Sequence, residues 1–276
     1  MESFPNLDQL IDMALYEDLQ DSGDITSASI FQDQEHTFRL ISKDDGILCG
    51  TGIFKKVLQR ADKSITVSLF FSDGTAISSG DLVAEVSGRV RSVLSAERTA
   101  LNFISMLSAV ATRTHNFVSA TEGKAIILDT RKTIPGFRHL QKYAVRCGGG
   151  KNHRMGLHDM IMIKDNHIDA AGGIGRAIKR ARNKWKDQYL IEVETRNLDE
   201  VKEALKYKAN RIMLDNMSIG QMSEAVELID GACETEASGN ITREKIEAVI
   251  TTGVDFISAG ELTNSITAFD FSLKNI

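Results

Sequence analysis

From about residue 109 onward, short apolar runs end in polar residues, and each is followed by a stretch with helical spacing. AIILDT precedes a helical pattern around 137–146, MIMIKD one around 172–184, and YLIEVE one over 197–207. The series continues with RIMLD before 219–229 and TEASG before 242–251, and ends with VDFISAG before a short polar turn. Strands that alternate with helices of about 10 to 15 residues imply parallel βαβ units. Six such strands in a row, with no GxGxxG after the first, favour a TIM-type barrel over an open doubly wound sheet; the flavodoxin-like sheet is the alternative.

The first part of the chain, to about residue 108, has a different texture and reads as an α+β unit. Leu7, Leu10, Ile11, Ala14 and Leu15 recur at helical spacing and predict an amphipathic helix, before a turn at Gly23. Short β-like runs follow at Thr37–Ser42, Gly46–Cys49, Ile65–Phe71, Leu82–Val86 and Val90–Leu94. Asp-Gly and Ser-Gly pairs at 45–46, 73–74, 79–80 and 87–88 mark turns between them. No nucleophile stands beside a base in those strands, so this half reads as scaffold, lid or subunit contact. SAERTALNFISMLSAVATRTHNFV then predicts a long helix with Leu101, Ile104, Met106, Leu107 and Val110 on its apolar stripe. Arg98, near the start of that helix, is either one half of a surface ion pair or a cation with a task.

With 276 residues the chain can bury one large core, or a barrel and a smaller domain. A hydrophobic content of 42% and a charged content of 26% are those of a folded globular protein rather than a disordered tail. A net charge of -5 argues against nucleic acid as a partner, which needs a broad basic surface. Cys49, Cys147 and Cys233 are odd in number and widely spaced, which suits a reducing cytoplasm and not a disulfide framework. MESFPNLDQLIDMAL lacks a basic segment followed by an apolar one, and no apolar run approaches membrane length. A cytoplasmic location is expected.

Against this acidic background one segment is dense in positive charge. Asp129–His167 holds eight Lys or Arg side chains, four His and the triple glycine 148–150. Arg131, Lys132, Arg154 and Lys164 fall at or near strand ends and loops, which points to a site for a multiply charged anion rather than a solvated basic face. The glycines lack the Walker lysine and spacing, so a P-loop is excluded.

In a barrel the residues that follow each strand converge on one mouth. Here they are Asp129, Arg131 and Lys132, then Lys164, Glu194, Asp215, Ser238 with Gly239, and Gly260. Glu192 and Glu194 alternate with apolar neighbours and share a strand face, which is costly unless a cation pairs them. For Glu194 the structural alternative to a catalytic role is an ion pair with Lys132 or Lys164. Glu194 and Asp215 could hold Mg²⁺ on a substrate phosphate or bind ribose hydroxyls; an all-protein metal cage is not expected. Ser238-Gly239-Asn240 ahead of a helix, with Gly260 after the last strand, matches the phosphate site that barrels build from late loops. Lys164 after an apolar strand has the setting of a Schiff-base lysine. His153 is either an ordinary loop histidine or a ligand contact beside Arg154.

The motifs DTRKTIPGFRHLQKYAVRCGGGKNHRMGL and IKDNHI, together with SAERTALNF, IEVE, MLDN, EASGN and GVDFISAGELT, resemble the quinolinate phosphoribosyltransferase (nicotinate-nucleotide pyrophosphorylase, carboxylating) family. The resemblance covers nearly the whole chain from residue 17. It implies an α/β fold in which an N-terminal α+β sandwich-like domain, 1–108, precedes an incomplete TIM-type barrel, 109–265. Residues 266–276 would return to the N-terminal domain. It implies an enzyme of NAD synthesis that joins quinolinate to phosphoribosyl pyrophosphate with Mg²⁺ and no organic cofactor. The assembly implied is a homodimer, open to stacking into hexamers, with no nucleic acid or membrane partner. By the same resemblance Arg98 reaches quinolinate across the subunit interface, and Arg131, His153 and Arg154 grip the pyridine dicarboxylate. Lys132 and Lys164 would contact quinolinate or the pyrophosphate, Glu194 and Asp215 would serve ribose and Mg²⁺, and Ser238, Gly239, Asn240 and Gly260 would hold the 5′-phosphate. Glu261 departs from the pattern, since a small residue is expected beside the phosphate loop. Two other outcomes stand beside this one: a related phosphoribosyltransferase of the molybdenum-transport-associated type, and a non-catalytic anion-binding homologue.

Overall fold

The computed structural model describes residues 4–275. In chain order its elements are α1 (Leu7–Leu19), α2 (Ile25–Ile30), β1 (Glu35–Ser42), β2 (Gly46–Ile47), α3 (Thr51–Ala61), β3 (Thr66–Leu69), β4 (Ala76–Ile77), β5 (Leu82–Arg89) and α4 (Val90–Ala120). There follow β6 (Ile126–Leu128), α5 (Arg138–Cys147), β7 (Ile161–Ile163), α6 (Asp165–Ala171), α7 (Ile174–Trp185), β8 (Ile191–Thr195), α8 (Leu198–Lys206), β9 (Arg211–Asp215) and α9 (Ile219–Ile229). The chain ends with β10 (Glu234–Ser238), a 3-10 turn leading into α10 (Ile246–Ile250), β11 (Phe256–Ser258), α11 (Glu261–Asn264) and β12 (Phe271–Asn275). Two compact units result. One takes the chain up to His115, Ile134–Gly149 and the chain from Ile266 on; the other takes Asn116–Thr133 and Gly150–Ser265.

The first unit is built on a four-stranded antiparallel sheet in the order β12-β1-β5-β3. The C-terminal strand lies along β1, with Phe38 opposite Asn275 and Ser42 opposite Phe271. α1 buries Leu7, Ile11 and Leu15, one turn apart, and α3 buries Ile53, Phe54, Val57 and Leu58 at helical spacing. Neither α2 nor α3 stands out among the turn signals of the sequence. Val90–Leu94, expected as a strand, is the first turn of α4: Val90, Val93, Ala96 and Ala100 are all buried, which is a helical period that overrides the β-branched residues at its start. The three cysteines are free.

The second unit holds a six-stranded sheet in the order β6-β11-β10-β9-β8-β7, every pairing parallel. Consecutive strands are neighbours from β7 to β11, and the first strand, β6, lies beside the last. This circular order is that of a barrel and excludes a flavodoxin-like sheet, whose order reverses at a switch point. The ring is incomplete between β6 and β7, where Lys151 makes a single parallel bridge to Leu128 beside β6.

The break corresponds to a difference from the reading of the sequence. The helix expected around 137–146 to complete the first βα unit exists as α5, but it belongs to the first unit, and the two compact units divide within α4, after His115. The single helix expected over 242–251 is a 3-10 turn followed by five residues of α10, and the polar turn after the last strand is the short helix α11.

Register decides which side chains share the sheet's inner face. Glu192 lies beside Met162 and Arg211, Glu194 beside Met213, Glu236 beside Met213 and Phe256, and Ser238 beside Asp215. The intervening Val193, Ile212, Leu214, Ala237 and Ile257 are buried on the other face.

Candidate active site

A cavity of about 1010 Å³ opens at the carboxyl ends of the parallel strands. That is room for two small substrates side by side, at the upper end of ordinary ligand pockets. Its lining includes Arg131, Lys132, His153, Arg154, Lys164, Glu194, Asp215, Ser238, Gly239, Asn240 and Gly260, so every candidate site residue predicted from the second unit is brought to one place. Arg98 is not among the lining residues; it is exposed on α4 in the first unit.

The positive wall begins with the buried carboxylate of Asp129, which follows β6. Its Oδ1 accepts from the His153 backbone N–H at 2.9 Å and its Oδ2 from Asn152 Nδ2 at 2.6 Å, so it pins the loop that carries His153 and Arg154. Arg154 donates from Nη1 to the Met160 carbonyl at 3.2 Å. Burial, and then repulsion from the nearby Arg131, hold the Arg154 pKa below its ordinary value. Both guanidiniums line the same cavity, and two such forks suit a dianion.

Lys132 extends along Gly260. A Cβ on that glycine would lie 2.9 Å from Lys132 Cδ, so the missing side chain makes space for the lysine. The Thr263 hydroxyl donates to the Lys132 carbonyl at 2.8 Å, tying the loop after β6 to α11. Glu261 begins α11 and also lines the cavity.

Lys164 and Glu194 form an ion pair, the structural alternative raised for Glu194, yet both still face the cavity. Asp215 accepts from Asn216 Nδ2 at 2.7 Å through Oδ2, which leaves its second oxygen for a ligand. Oxygen donors of this kind suit Mg²⁺, which prefers to keep waters and substrate phosphates as its other ligands. Glu194 and Asp215 therefore fit a metal brought in on a substrate. Ser238, Gly239 and Asn240 close the opposite side, with Gly239 at φ 95 and Asn240 at φ 49, left-handed values that turn the backbone sharply.

Beneath the cavity Glu192 and His153 meet a third residue, Glu236, that the sequence reading does not include. Glu192 and Glu236 are fully buried, and His153 Nε2 stands 3.1 Å from Glu192 Oε2 and 3.4 Å from Glu236 Oε2. Among the described residues these three could by spacing hold a metal ion, and the group includes neither Glu194 nor Asp215. Arg211 already supplies countercharge, with Nη1 3.3 Å from Glu236 Oε2 and its guanidinium stacked 4.0 Å over the Phe256 ring. Burial disfavours a charged His153, but the two carboxylates outweigh it and push its pKa up to about 9. Burial and the charge of Glu236 raise Glu192, whereas His153, Ser258 and Arg211 together overcome burial and lower Glu236. His153 Nδ1 accepts from the Arg154 N–H at 2.7 Å. Both ring nitrogens thus have protein groups beside them, while His153 lines the cavity next to Arg154.

Asn216 and Lys245 also line the cavity and were not singled out from the sequence. Asn216 directly follows Asp215 in MLDN and was legible by adjacency. Lys245 is brought in only by the short turn after Thr242.

Comparison with known proteins agrees with this geometry. Residues 24–108 match the model of the quinolinate phosphoribosyl transferase N-terminal domain, and residues 110–274 match that of the C-terminal domain. The chain is 43% identical over 293 aligned positions to quinolinate phosphoribosyltransferase [decarboxylating] 2, mitochondrial, from Nicotiana glauca, covering 98% of this chain and 82% of that protein. It is 41% identical to the probable nicotinate-nucleotide pyrophosphorylase [carboxylating] of Bacillus subtilis, covering 97% and 92%. Among solved structures, the nicotinate-nucleotide pyrophosphorylase from Francisella tularensis superposes with a TM-score of 0.95 at 45% identity, over 99% of this chain and 98% of the other. With both domains matched and the cation-rich cavity at the barrel mouth, the chain belongs to the quinolinate phosphoribosyltransferase family.

Proposed function

We propose that the protein transfers the phosphoribosyl group of phosphoribosyl pyrophosphate to the ring nitrogen of quinolinate and releases pyrophosphate and CO₂, forming nicotinate mononucleotide for NAD synthesis. The observation that carries this reading is the presence in one cavity of paired Arg131 and Arg154, the lysines 132 and 164, and the carboxylates of Glu194 and Asp215. Two guanidinium forks match the two carboxylates of a pyridine diacid. Lys132 and Lys164 meet the quinolinate and the pyrophosphate, and Ser238, Gly239, Asn240 and Gly260 receive the 5′-phosphate.

The transfer builds positive charge at the ribose C1 as pyrophosphate departs. Carboxylates near the ribose and cations at the leaving group stabilise that separation without rearranging during the step. Mg²⁺, held through Glu194 and Asp215, would neutralise the pyrophosphate. Once the ring nitrogen carries the ribosyl group, the pyridinium accepts the electron pair left by CO₂, and decarboxylation needs no organic cofactor. The chain's contribution is positioning and fixed charge.

Arg98 has a place in this scheme if a second copy of the chain supplies it to the quinolinate carboxylate, which makes the working unit a homodimer. We place the enzyme in the cytoplasm; no helix among the described residues is long and apolar enough to cross a membrane. The test is an assay of purified protein with phosphoribosyl pyrophosphate, Mg²⁺ and each of quinolinate, nicotinate and nicotinamide. Turnover of quinolinate alone is the expected result, and turnover of nicotinate without quinolinate would overturn the reading.

A further inference from the structure

Asn216 joins two parts of the cavity that the proposed chemistry uses separately. Its backbone is left-handed, with φ 54, and its N–H donates to the Ser238 carbonyl at 2.9 Å. Its Nδ2 donates to Asp215 Oδ2 at 2.7 Å, and its Oδ1 accepts from Asn240 Nδ2 at 3.1 Å. The carboxylate can only accept, so the amide nitrogen must face Asp215 and the amide oxygen must face Asn240. Asn240 is held in turn, because its carbonyl accepts from Lys245 Nζ at 2.8 Å. Gly239 fits beneath this arrangement, since a Cβ there would collide with the Asn216 side chain and come within 2.8 Å of its backbone nitrogen.

We propose that Asn216 is a positioning residue that fixes Asp215 and Asn240 at one spacing, so that the ribose and the 5′-phosphate of the phosphoribosyl donor are held together in reacting alignment. The proposal rests on the functional reading above. Asp215 ends β9, and Asn240 follows the end of β10; the paired register of Asp215 with Ser238 sets the distance between the strands but not the directions of the side chains beyond them. The amide sets those directions by engaging one carboxylate oxygen and leaving the other for the ligand. A donor bound at both ends loses rate steeply when one end is displaced, because the reacting carbon no longer faces the nucleophile. Quinolinate, held by Arg131 and Arg154, is not in this chain of contacts.

The experiment compares wild type with Asn216→Ala, Asn216→Gly and Asn216→Asp. Glycine keeps the left-handed backbone and removes only the amide, which separates the side chain's role from strain. In Asn216→Gly, kcat/KM for phosphoribosyl pyrophosphate should fall on the order of 10- to 100-fold, while the quinolinate KM stays within about twofold and the melting temperature holds. Asn216→Asp should lose as much, since a carboxylate cannot donate to Asp215. Wild-type kinetics in Asn216→Gly, or an equal rise of KM for both substrates, would overturn the proposal. Calorimetric titration with phosphoribosyl pyrophosphate and Mg²⁺ separates the two levels of inference. Wild type that binds no donor overturns the functional reading and this one together, whereas wild type that binds it and Asn216→Gly that keeps the wild-type kcat/KM for it overturns only the role of Asn216.

Discussion

Lys132 shows how a single missing side chain elsewhere shapes the site. It lies where Gly260 carries no Cβ, and its carbonyl is held by Thr263, which together direct the side chain into the cavity. Lys132→Ala should therefore leave the melting temperature nearly unchanged while turnover falls on the order of 10²- to 10³-fold, the scale of losing one fixed charge at a developing anion. A near-normal rate would remove the lysine from the mechanism. His153 gives a second prediction at this scale. Its pKa is raised from 6.5 to about 9, so the folded state binds the proton more tightly than the unfolded chain does. The resulting stabilisation is complete below pH 6.5 and is lost as pH rises through about 9. The second proton would belong on Nδ1, which now accepts from the Arg154 N–H, so protonation also requires that N–H to turn away. Melting temperatures of wild type should fall more steeply between pH 7 and 9.5 than those of His153→Gln; parallel curves would show that the histidine does not titrate in this range.

At the scale of elements, legibility followed the hydrophobic period. The parallel strands β6 to β11 were readable because short apolar runs alternate with helical stretches, and the positions that follow them were readable because a barrel has one mouth. Val90–Leu94 was misread because two β-branched valines dominate a five-residue window, and the helical period of α4 appears only when Ala96 and Ala100 are included. Glu236 is hidden in TEASG because a single carboxylate in a five-residue stretch without an apolar run gives no alternation from which to assign its face. Lys245 is brought in through a turn whose backbone geometry leaves no periodic trace. The glycine triplet carries a prediction of its own. A Cβ on Gly148 would strike the Ala111 carbonyl and lie 2.7 Å from Thr114 Cβ on α4, so the end of α5 meets α4 backbone to backbone. Gly148→Ala should cost about 1–3 kcal/mol in chemical denaturation, since a carbonyl in a buried helix has little room to move. An unchanged midpoint would mean that α5 can slide.

For the whole molecule, the sequence identified two domains and a barrel but not the way the chain moves between them. Residues 134–149 leave the strand-helix series to join the first unit, and nothing in the spacing of LDTRKTIPGF announces the departure. Arg98 tests the proposed assembly directly. If each site takes its arginine from a second copy, Arg98→Ala and Lys132→Ala proteins should each be nearly inactive, yet mixed and allowed to exchange subunits they should recover about a quarter of wild-type activity. Half the dimers would then be hybrids, with one intact site in two. No recovery after exchange would place Arg98 and Lys132 in the same subunit's site.

The gap in the barrel leaves β7 as a border strand of three residues, paired among the described strands with β8 alone. Border strands this short are the first to come loose in a parallel sheet. Lys164 therefore rides on the least anchored stave of the barrel, leashed to it by Glu194 on the neighbouring strand. Deuterium should enter the backbone at Ile161–Ile163 well before Ile212–Leu214, and a bound pyrophosphate should slow that entry by drawing the lysine and its strand inward.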